Sequence, residues 1–144
     1  MAVELTKNSI DLGIVTQNAE AALKFYRDTL GFVHQGNWDM PGGHTMYRLL
    51  CGESIIKIVQ LKDAPPAQAP PGGIQGATGY RYWTMSISNL SSVVEACRDG
   101  GYTVVVPEVE VAPGAKIAIV EDPDGNWVEL LSGTHIVEPP PKEA

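Results

Sequence analysis

Few residues in this sequence have side chains suited to nucleophilic or metal chemistry. It contains three histidines, His34, His44 and His135, and two cysteines, Cys51 and Cys97. Neither cysteine has a histidine as a sequence neighbour, which argues against an activated thiol nucleophile. Three scattered histidines also argue against a histidine-rich metal centre. Histidine- or cysteine-based chemistry is therefore not what this sequence favours.

The composition limits the class of protein that the chain can be. It has 144 residues, 44% of them hydrophobic, and 17 acidic against 10 basic residues, which gives a formal net charge of -7. This is enough for one compact domain or two small modules, and the acidity argues against nucleic acid or anionic membranes as partners. No apolar stretch approaches the roughly 18 residues of a membrane span, and the first residues lack the features of a signal peptide. Two cysteines are too few for a disulfide framework, so we expect a cytoplasmic protein.

The first half of the sequence predicts a strand, a helix and three further strands. Residues 9–16 have the pattern of a buried strand, and the following segment has helical spacing of apolar residues between Asn18 as N-cap and Gly31 as stop. Three short β candidates follow at 33–38, 44–50 and 54–61. The last two are separated by a turn at Cys51-Gly52-Glu53, so residues 1–62 form a βαβββ module.

The second half repeats this order. Residues 63–77 are rich in proline and glycine and predict a linker, while residues 78–134 predict a second βαβββ module and residues 135–144 a frayed tail. Asn18 and Asn89 lie at an offset of 71, as do the Arg-Asp pairs of the two helices. The pattern predicts an α+β fold of two curled sheets related by a pseudo-twofold axis.

Two segments of the sequence resemble a known superfamily. They are DLGIVTQNAEAALKFYRDTLGF in the first half and VEDPDGNWVELL in the second. Both resemble the vicinal oxygen chelate superfamily, which includes glyoxalase I, methylmalonyl-CoA epimerase, extradiol dioxygenases and bleomycin-resistance proteins. The resemblance covers residues 9–132 and implies the fold, whereas this fold supports many different reactions.

The resemblance also implies four positions for functional side chains. Members that bind a metal place one ligand on the first and one on the last strand of each module, typically His and Glu. Carried over to this sequence, the positions are Asp11, Lys57, Tyr82 and Glu129. Only Glu129 keeps the ligand type, because a protonated lysine offers no lone pair and a neutral tyrosine is a poor ligand. We therefore expect no metal cofactor; in the alternative, a divalent ion would be held by Asp11 and Glu129.

Together with strand parity, the resemblance predicts a cup with apolar walls and these four polar side chains converging in it. The ammonium of Lys57 is expected to take the place of the metal. The predicted function is a metal-independent lyase or isomerase acting on a small carbonyl or aromatic polyketide-like molecule. Glu129 would take a proton from carbon, while Lys57 or Tyr82 would donate to the developing oxyanion.

Other interpretations of the four residues stay open. Lys57 could act as an amine nucleophile, although nearby Asp and Glu would favour its charged form. The four side chains could also form only a buried salt bridge with a hydrogen-bonded tyrosine. The main alternative function is non-catalytic binding or sequestration of a small molecule, as in resistance proteins.

Several aromatic and polar residues are candidates for substrate binding. Tyr47 and His44 lie on the strand after the MPGG loop, and Trp38 is predicted in a loop. Tyr80 has the same strand parity as Tyr82, and Trp127 has the same strand parity as Glu129. His34 and His135 are predicted at the surface. The resemblance further implies a homodimer, with modules paired within or between chains.

Overall fold

The computed structural model describes residues 1–133, so the predicted tail at 135–144 lies outside the described residues. The chain divides into two compact units, the first spanning Met1–Ala69 and the second beginning at Pro70. This boundary falls within the segment 63–77 that the sequence predicts as a linker. No helix among residues 1–133 has the length and apolar character needed to cross a bilayer.

The first unit is a four-stranded sheet with one helical segment. Its elements are β1 (Leu12–Thr16), α1 (Ala19–Leu23), β2 (Val33–Met40), β3 (His44–Cys51) and β4 (Ser54–Gln60). The strand order is β1-β4-β3-β2, with β1 parallel to β4 and the other pairs antiparallel.

The helical segment of the first unit begins as an α-helix and continues as a wider π-helical turn. Asn18 caps the start, since its side chain accepts a hydrogen bond from the backbone N–H of Ala21. Over Lys24–Thr29 the bonds span five residues, as between the N–H of Leu30 and the carbonyl of Phe25 at 2.9 Å. Phe25 and its neighbour Tyr26 are both fully buried and pack edge to face.

The second unit repeats the architecture of the first. Its elements are β5 (Tyr82–Ser86), α2 (Leu90–Asp99), β6 (Val104–Ala112), β7 (Ala115–Glu121) and β8 (Trp127–Gly133). The strand order is β5-β8-β7-β6, with β5 parallel to β8. The prediction of two βαβββ modules in an α+β fold is confirmed.

Each sheet buries one face under its helix. In the first sheet Ile56 and Ile58 of β4 are buried, and in the second sheet Val128 and Leu130 of β8 are buried. Because side chains alternate along a strand, the residues between them lie on the other side of the sheet, which we call the helix-free face. Lys57 lies on the helix-free face of the first sheet, and Glu129 lies on that of the second.

The end of the predicted linker is ordered as part of the second unit. Gly73–Gln75 form a short 3₁₀ turn. Arg81 holds this turn, since its Nε and Nη2 donate to the carbonyls of Gly73 and Pro70, each at 2.6 Å. Gly73 is buried against the indole ring of Trp127.

Candidate functional site

A carboxylate with one free oxygen lies on the helix-free face of the second sheet. The parallel pairing of β5 with β8 puts Thr84 opposite Glu129, and the Thr84 hydroxyl donates a 2.9 Å hydrogen bond to Oε1 of Glu129. Glu129 makes no ion pair within residues 1–133, and its Oε2 has no hydrogen-bond partner there. The side chain is thus oriented through one oxygen while the other can accept a proton.

Aromatic side chains flank this carboxylate on the same face. Tyr82 precedes Thr84 by two residues, is 49% exposed, and its hydroxyl has no hydrogen-bond partner in the described part of the chain. Trp127 lies opposite Tyr82, and its indole N–H donates to Oε1 of Glu121 at 3.1 Å. Tyr82 is therefore available as a donor, whereas Trp127 is held in place.

Asp11 is engaged in contacts that stabilise the first sheet. It lies just before β1, and its Oδ1 accepts hydrogen bonds from Nζ of Lys7 at 2.7 Å and from the backbone N–H of Ile55 at 2.8 Å. The hydrogen bond from Lys7, followed by that from Ile55, holds the pKa of Asp11 below its usual value, and the charge of Lys57 adds a smaller effect. Asp11 is consequently an ionised group with a structural role, and it is a weak candidate for a proton acceptor.

Lys57 lies in the middle of the first sheet, between Gly13 of β1 and Arg48 of β3. Neither Lys57 nor Arg48 forms a salt bridge within residues 1–133. The guanidinium carbon of Arg48 lies 3.9 Å from the ring centroid of Trp38, which is a cation–π geometry. The sequence predicts Trp38 where the β candidate 33–38 gives way to a loop, whereas the structure continues β2 through it to Met40.

Arg48 was not singled out from the sequence, although a local signal for it exists. The turn at Gly52-Glu53 pairs Cys51 with Ser54, and counting back along both strands puts Arg48 opposite Lys57. Thr84 was missed as well, because its contact with Glu129 depends on the register of a parallel strand pair.

The same register separates Tyr47 from Lys57. Tyr47 is paired with the buried Ile58, so it lies on the helix side of the first sheet. There it lines a cleft of about 410 Å³ together with Asn18, Arg27 and Gln60. Tyr47 and Lys57 therefore lie on opposite faces of the first sheet, and the substrate-binding role of Tyr47 stays a prediction.

The remaining candidates lie at the ends of strands. His44 begins β3 on the face of Arg48, and its Nδ1 accepts a 3.0 Å hydrogen bond from the backbone N–H of Lys62. This bond leaves the proton of a neutral His44 ring on Nε2. Tyr80 precedes β5 and is fully exposed. His34, predicted at the surface, is exposed and lies 2.6 Å from the Asn37 side chain, whereas His135 lies outside the described residues.

Comparison with a protein-family model decides the family. The model of the Glyoxalase/Bleomycin resistance protein/Dioxygenase superfamily matches residues 9–130. The chain belongs to this superfamily. The resemblance carried by the two sequence segments is thereby confirmed, and the superfamily accounts for two βαβββ modules in one chain.

Relatives within the glyoxalase superfamily are distant. The chain is 28% identical over 127 residues to CFP32 of Mycobacterium tuberculosis, a protein provisionally named as a glyoxylase; the match covers 87% of this chain and 44% of CFP32. The chain thus spans about half the length of the curated relatives it matches.

Solved structures show the shared fold. A glyoxalase family protein from Bacillus cereus superposes with a TM-score of 0.79 at 16% identity, covering 94% of this chain and 99% of that protein. The trypanothione-dependent glyoxalase I of Leishmania major superposes with a TM-score of 0.63 at 19% identity, covering 88% of this chain and 87% of that one. At these identities the likeness concerns the fold alone.

The donor set of this chain does not fit the divalent metal that the superfamily implies. Of the four carried-over positions, Lys57 is a cation and Tyr82 a neutral phenol, and Oδ1 of Asp11 already accepts from Lys7 and Ile55. Residues 1–133 contain no group of three or more His, Cys, Asp or Glu side chains arranged to hold a metal ion. Oε2 of Glu129 and Oδ2 of Asp11 make no hydrogen bond within residues 1–133, but Asp11 is already paired with the cation of Lys7, and one carboxylate alone supplies too few oxygen ligands for a divalent cation.

Proposed function

We propose that this chain is a metal-independent enzyme of the glyoxalase superfamily, a lyase or isomerase that performs acid–base chemistry on a small carbonyl or aromatic compound. The observation that carries the proposal is the Thr84–Glu129 pair, in which a hydroxyl orients a carboxylate and leaves its Oε2 free. A general base needs this combination of fixed position and free lone pair. The name of CFP32, a glyoxylase, supports a carbonyl substrate.

The proposed reaction begins with proton transfer from carbon. Oε2 of Glu129 removes a proton from the carbon next to a carbonyl group, and the electron pair of the C–H bond moves towards the carbonyl oxygen. The Tyr82 hydroxyl, on the same face of the second sheet, donates a hydrogen bond to this developing oxyanion. Return of a proton to the opposite face of that carbon, or to the former carbonyl carbon, gives an isomerase, and loss of a leaving group with its bonding electrons from the neighbouring carbon gives a lyase. The role of Lys57 in the same reaction stays a prediction.

Deuterium exchange tests the proposal without knowledge of the natural substrate. Methylglyoxal, 2-oxobutyrate and acetophenone are incubated with the protein in D₂O, and proton NMR follows exchange or conversion. We expect catalysis with at least one compound, and we expect Glu129→Gln to lower its rate by about 100-fold or more. Glu121→Gln is the matched control, because Glu121 lies on a neighbouring strand and its amide variant still accepts from Trp127.

The main alternative is a protein that binds a small molecule without converting it. If one of the three compounds binds and none is exchanged or converted, the chain is such a binding protein. If Glu129→Gln keeps the wild-type rate, the assignment of the base is wrong. The homodimer and the cytoplasmic location stay predictions, and light scattering of the purified protein tests the first.

A further inference from the structure

We infer that Arg48 and Lys57 form a binding subsite for the carboxylate of a small organic acid on the helix-free face of the first sheet. The inference goes beyond the proposed function, since it concerns the first unit alone and holds for an enzyme or a binding protein. It rests on the pairing of two cations, the orientation of Arg48 and the surroundings of both side chains.

The two cations face each other on neighbouring strands. Arg48 and Lys57 are direct cross-strand partners, which brings their Cβ atoms to about 5 Å. Like charges in this arrangement destabilise a sheet. The carboxylate within electrostatic reach of Lys57 is Asp11, whose hydrogen bonds go to Lys7 and the backbone of Ile55. Within residues 1–133, no side chain forms an ion pair with Arg48 or Lys57. An anionic ligand would therefore relieve the repulsion between the two cations.

Arg48 presents one edge of its guanidinium group for recognition. One face of the group lies over Trp38 at 3.9 Å, and Nε donates to the side-chain oxygen of Gln35 at 3.3 Å. These contacts fix the plane of the group and leave the two Nη atoms free within the described residues. Two parallel N–H donors match the two oxygens of a carboxylate, which is the bidentate geometry that arginine favours.

The neighbours of the pair indicate an organic acid rather than an inorganic anion. Met46 and Val59 are cross-strand partners on one side of the pair, and Leu50 and Ile55 are partners on the other. These residues share the helix-free face with Arg48 and Lys57, and all are partly buried. An acid with an apolar body gains contact with them, whereas inorganic phosphate gains none.

Benzoate is a suitable probe, with benzamide as its neutral counterpart of the same shape. Binding is followed by two-dimensional NMR of the nitrogen-labelled full chain, using the indole signal of Trp38 and the Nε–H signal of Arg48. We expect benzoate to shift both signals and benzamide to shift neither at equal concentration. Arg48→Gln and Lys57→Gln should each weaken benzoate binding by about tenfold or more.

Matched variants separate this subsite from general charge effects. Arg27→Gln removes a cation that pairs with Asp28 in the helical segment of the same unit, and it should leave benzoate affinity unchanged. Arg48→Lys keeps the charge but loses the paired Nη donors, so its affinity should fall below that of the wild type.

Four results would overturn the inference. They are no binding of benzoate, equal binding of benzamide, an equal loss in Arg27→Gln, and tighter binding of inorganic phosphate than of benzoate. The NMR spectra of the variants also show whether each one is folded. If Arg48→Gln is unfolded, Arg48→Lys and Lys57→Gln decide.

Discussion

The backbone of Gly73 packs directly on the indole ring of Trp127. A Cβ added to Gly73 would overlap three ring atoms, Cδ2, Cε2 and Cε3, and the residue has a positive φ of +54°. Only glycine combines this close approach with this conformation. The end of the proline- and glycine-rich segment is therefore a packed part of the second unit.

Gly73→Ala should destabilise the protein by about 2–4 kcal/mol, because the added methyl group overpacks the contact and the backbone is strained. Urea unfolding followed by tryptophan fluorescence measures the loss. Gly79→Ala is the control, since Gly79 has a φ of +99° with nothing within 4 Å of its Cβ position. It should cost only the backbone strain, about 1–2 kcal/mol. Equal losses in the two variants would show that the indole contact contributes nothing.

Asp122→Ala should lower the free energy of unfolding by about 2–4 kcal/mol. The buried Asp122 side chain accepts hydrogen bonds from the backbone N–H groups of Asp124 and Asn126 and from the Asn126 side chain, at 2.8–2.9 Å. Its loss leaves these donors unpaired at the turn between β7 and β8. Asp124→Ala, in the same turn, removes an exposed side chain and should cost under about 0.5 kcal/mol. Thermal unfolding of both variants is the measurement, and similar melting temperatures would contradict the prediction.

Thr84→Val should lower the exchange rate of the proposed reaction by about tenfold, because the isosteric valine cannot orient Glu129 through Oε1. Thr84→Ser keeps the hydroxyl and should retain most of the rate. The rates are measured by proton NMR in D₂O with the compound that the wild type processes. A Thr84→Val variant as active as Thr84→Ser would mean that the hydrogen bond has no role in turnover.

The stability advantage of the wild type over Asp11→Asn should depend on pH. The pKa of Asp11 is lower in the folded protein than its ordinary 3.8, so the carboxylate favours folding at neutral pH. This advantage is present above the ordinary pKa and is lost as the pH falls through the lower, folded-state value. Melting temperatures of both proteins between about pH 7 and pH 3 should therefore converge towards the acid end.

Lys7 is the first cause of the lowered pKa of Asp11, which provides a control for the pH experiment. In a Lys7→Gln background, the pH-dependent difference in stability that Asp11→Asn produces should shrink. An unchanged difference would contradict the assignment of Lys7 as the main partner.

The order of the elements could be predicted because its signals are local. The N-cap at Asn18 and the turn at Gly52-Glu53 each act within a few residues of sequence. The π-helical turn at Lys24–Thr29 and the ordered Gly73–Gln75 turn could not be predicted in this way. The first accompanies the burial of two adjacent aromatic residues, and the second depends on Arg81 and Trp127, which lie further along the chain.

The candidate site was predictable to the extent that strand parity determines it. Alternation places Lys57 and Glu129 on the faces opposite the helices, as the structure does. Asp11 shows the limit of parity, because its hydrogen bond from Lys7 arises in the irregular segment before β1. The placement of Tyr47 follows from the register of the β3–β4 turn, which is a local signal in the sequence.

The two sheets carry opposite charges at the same point of a repeated ladder. Lys57, on the last strand of the first unit, is paired with Gly13 of β1. Glu129, on the last strand of the second unit, is paired with Thr84 of β5. Codons for lysine and glutamate differ by one base at the first position. A single nucleotide change could therefore reverse the charge at either place without an insertion or deletion.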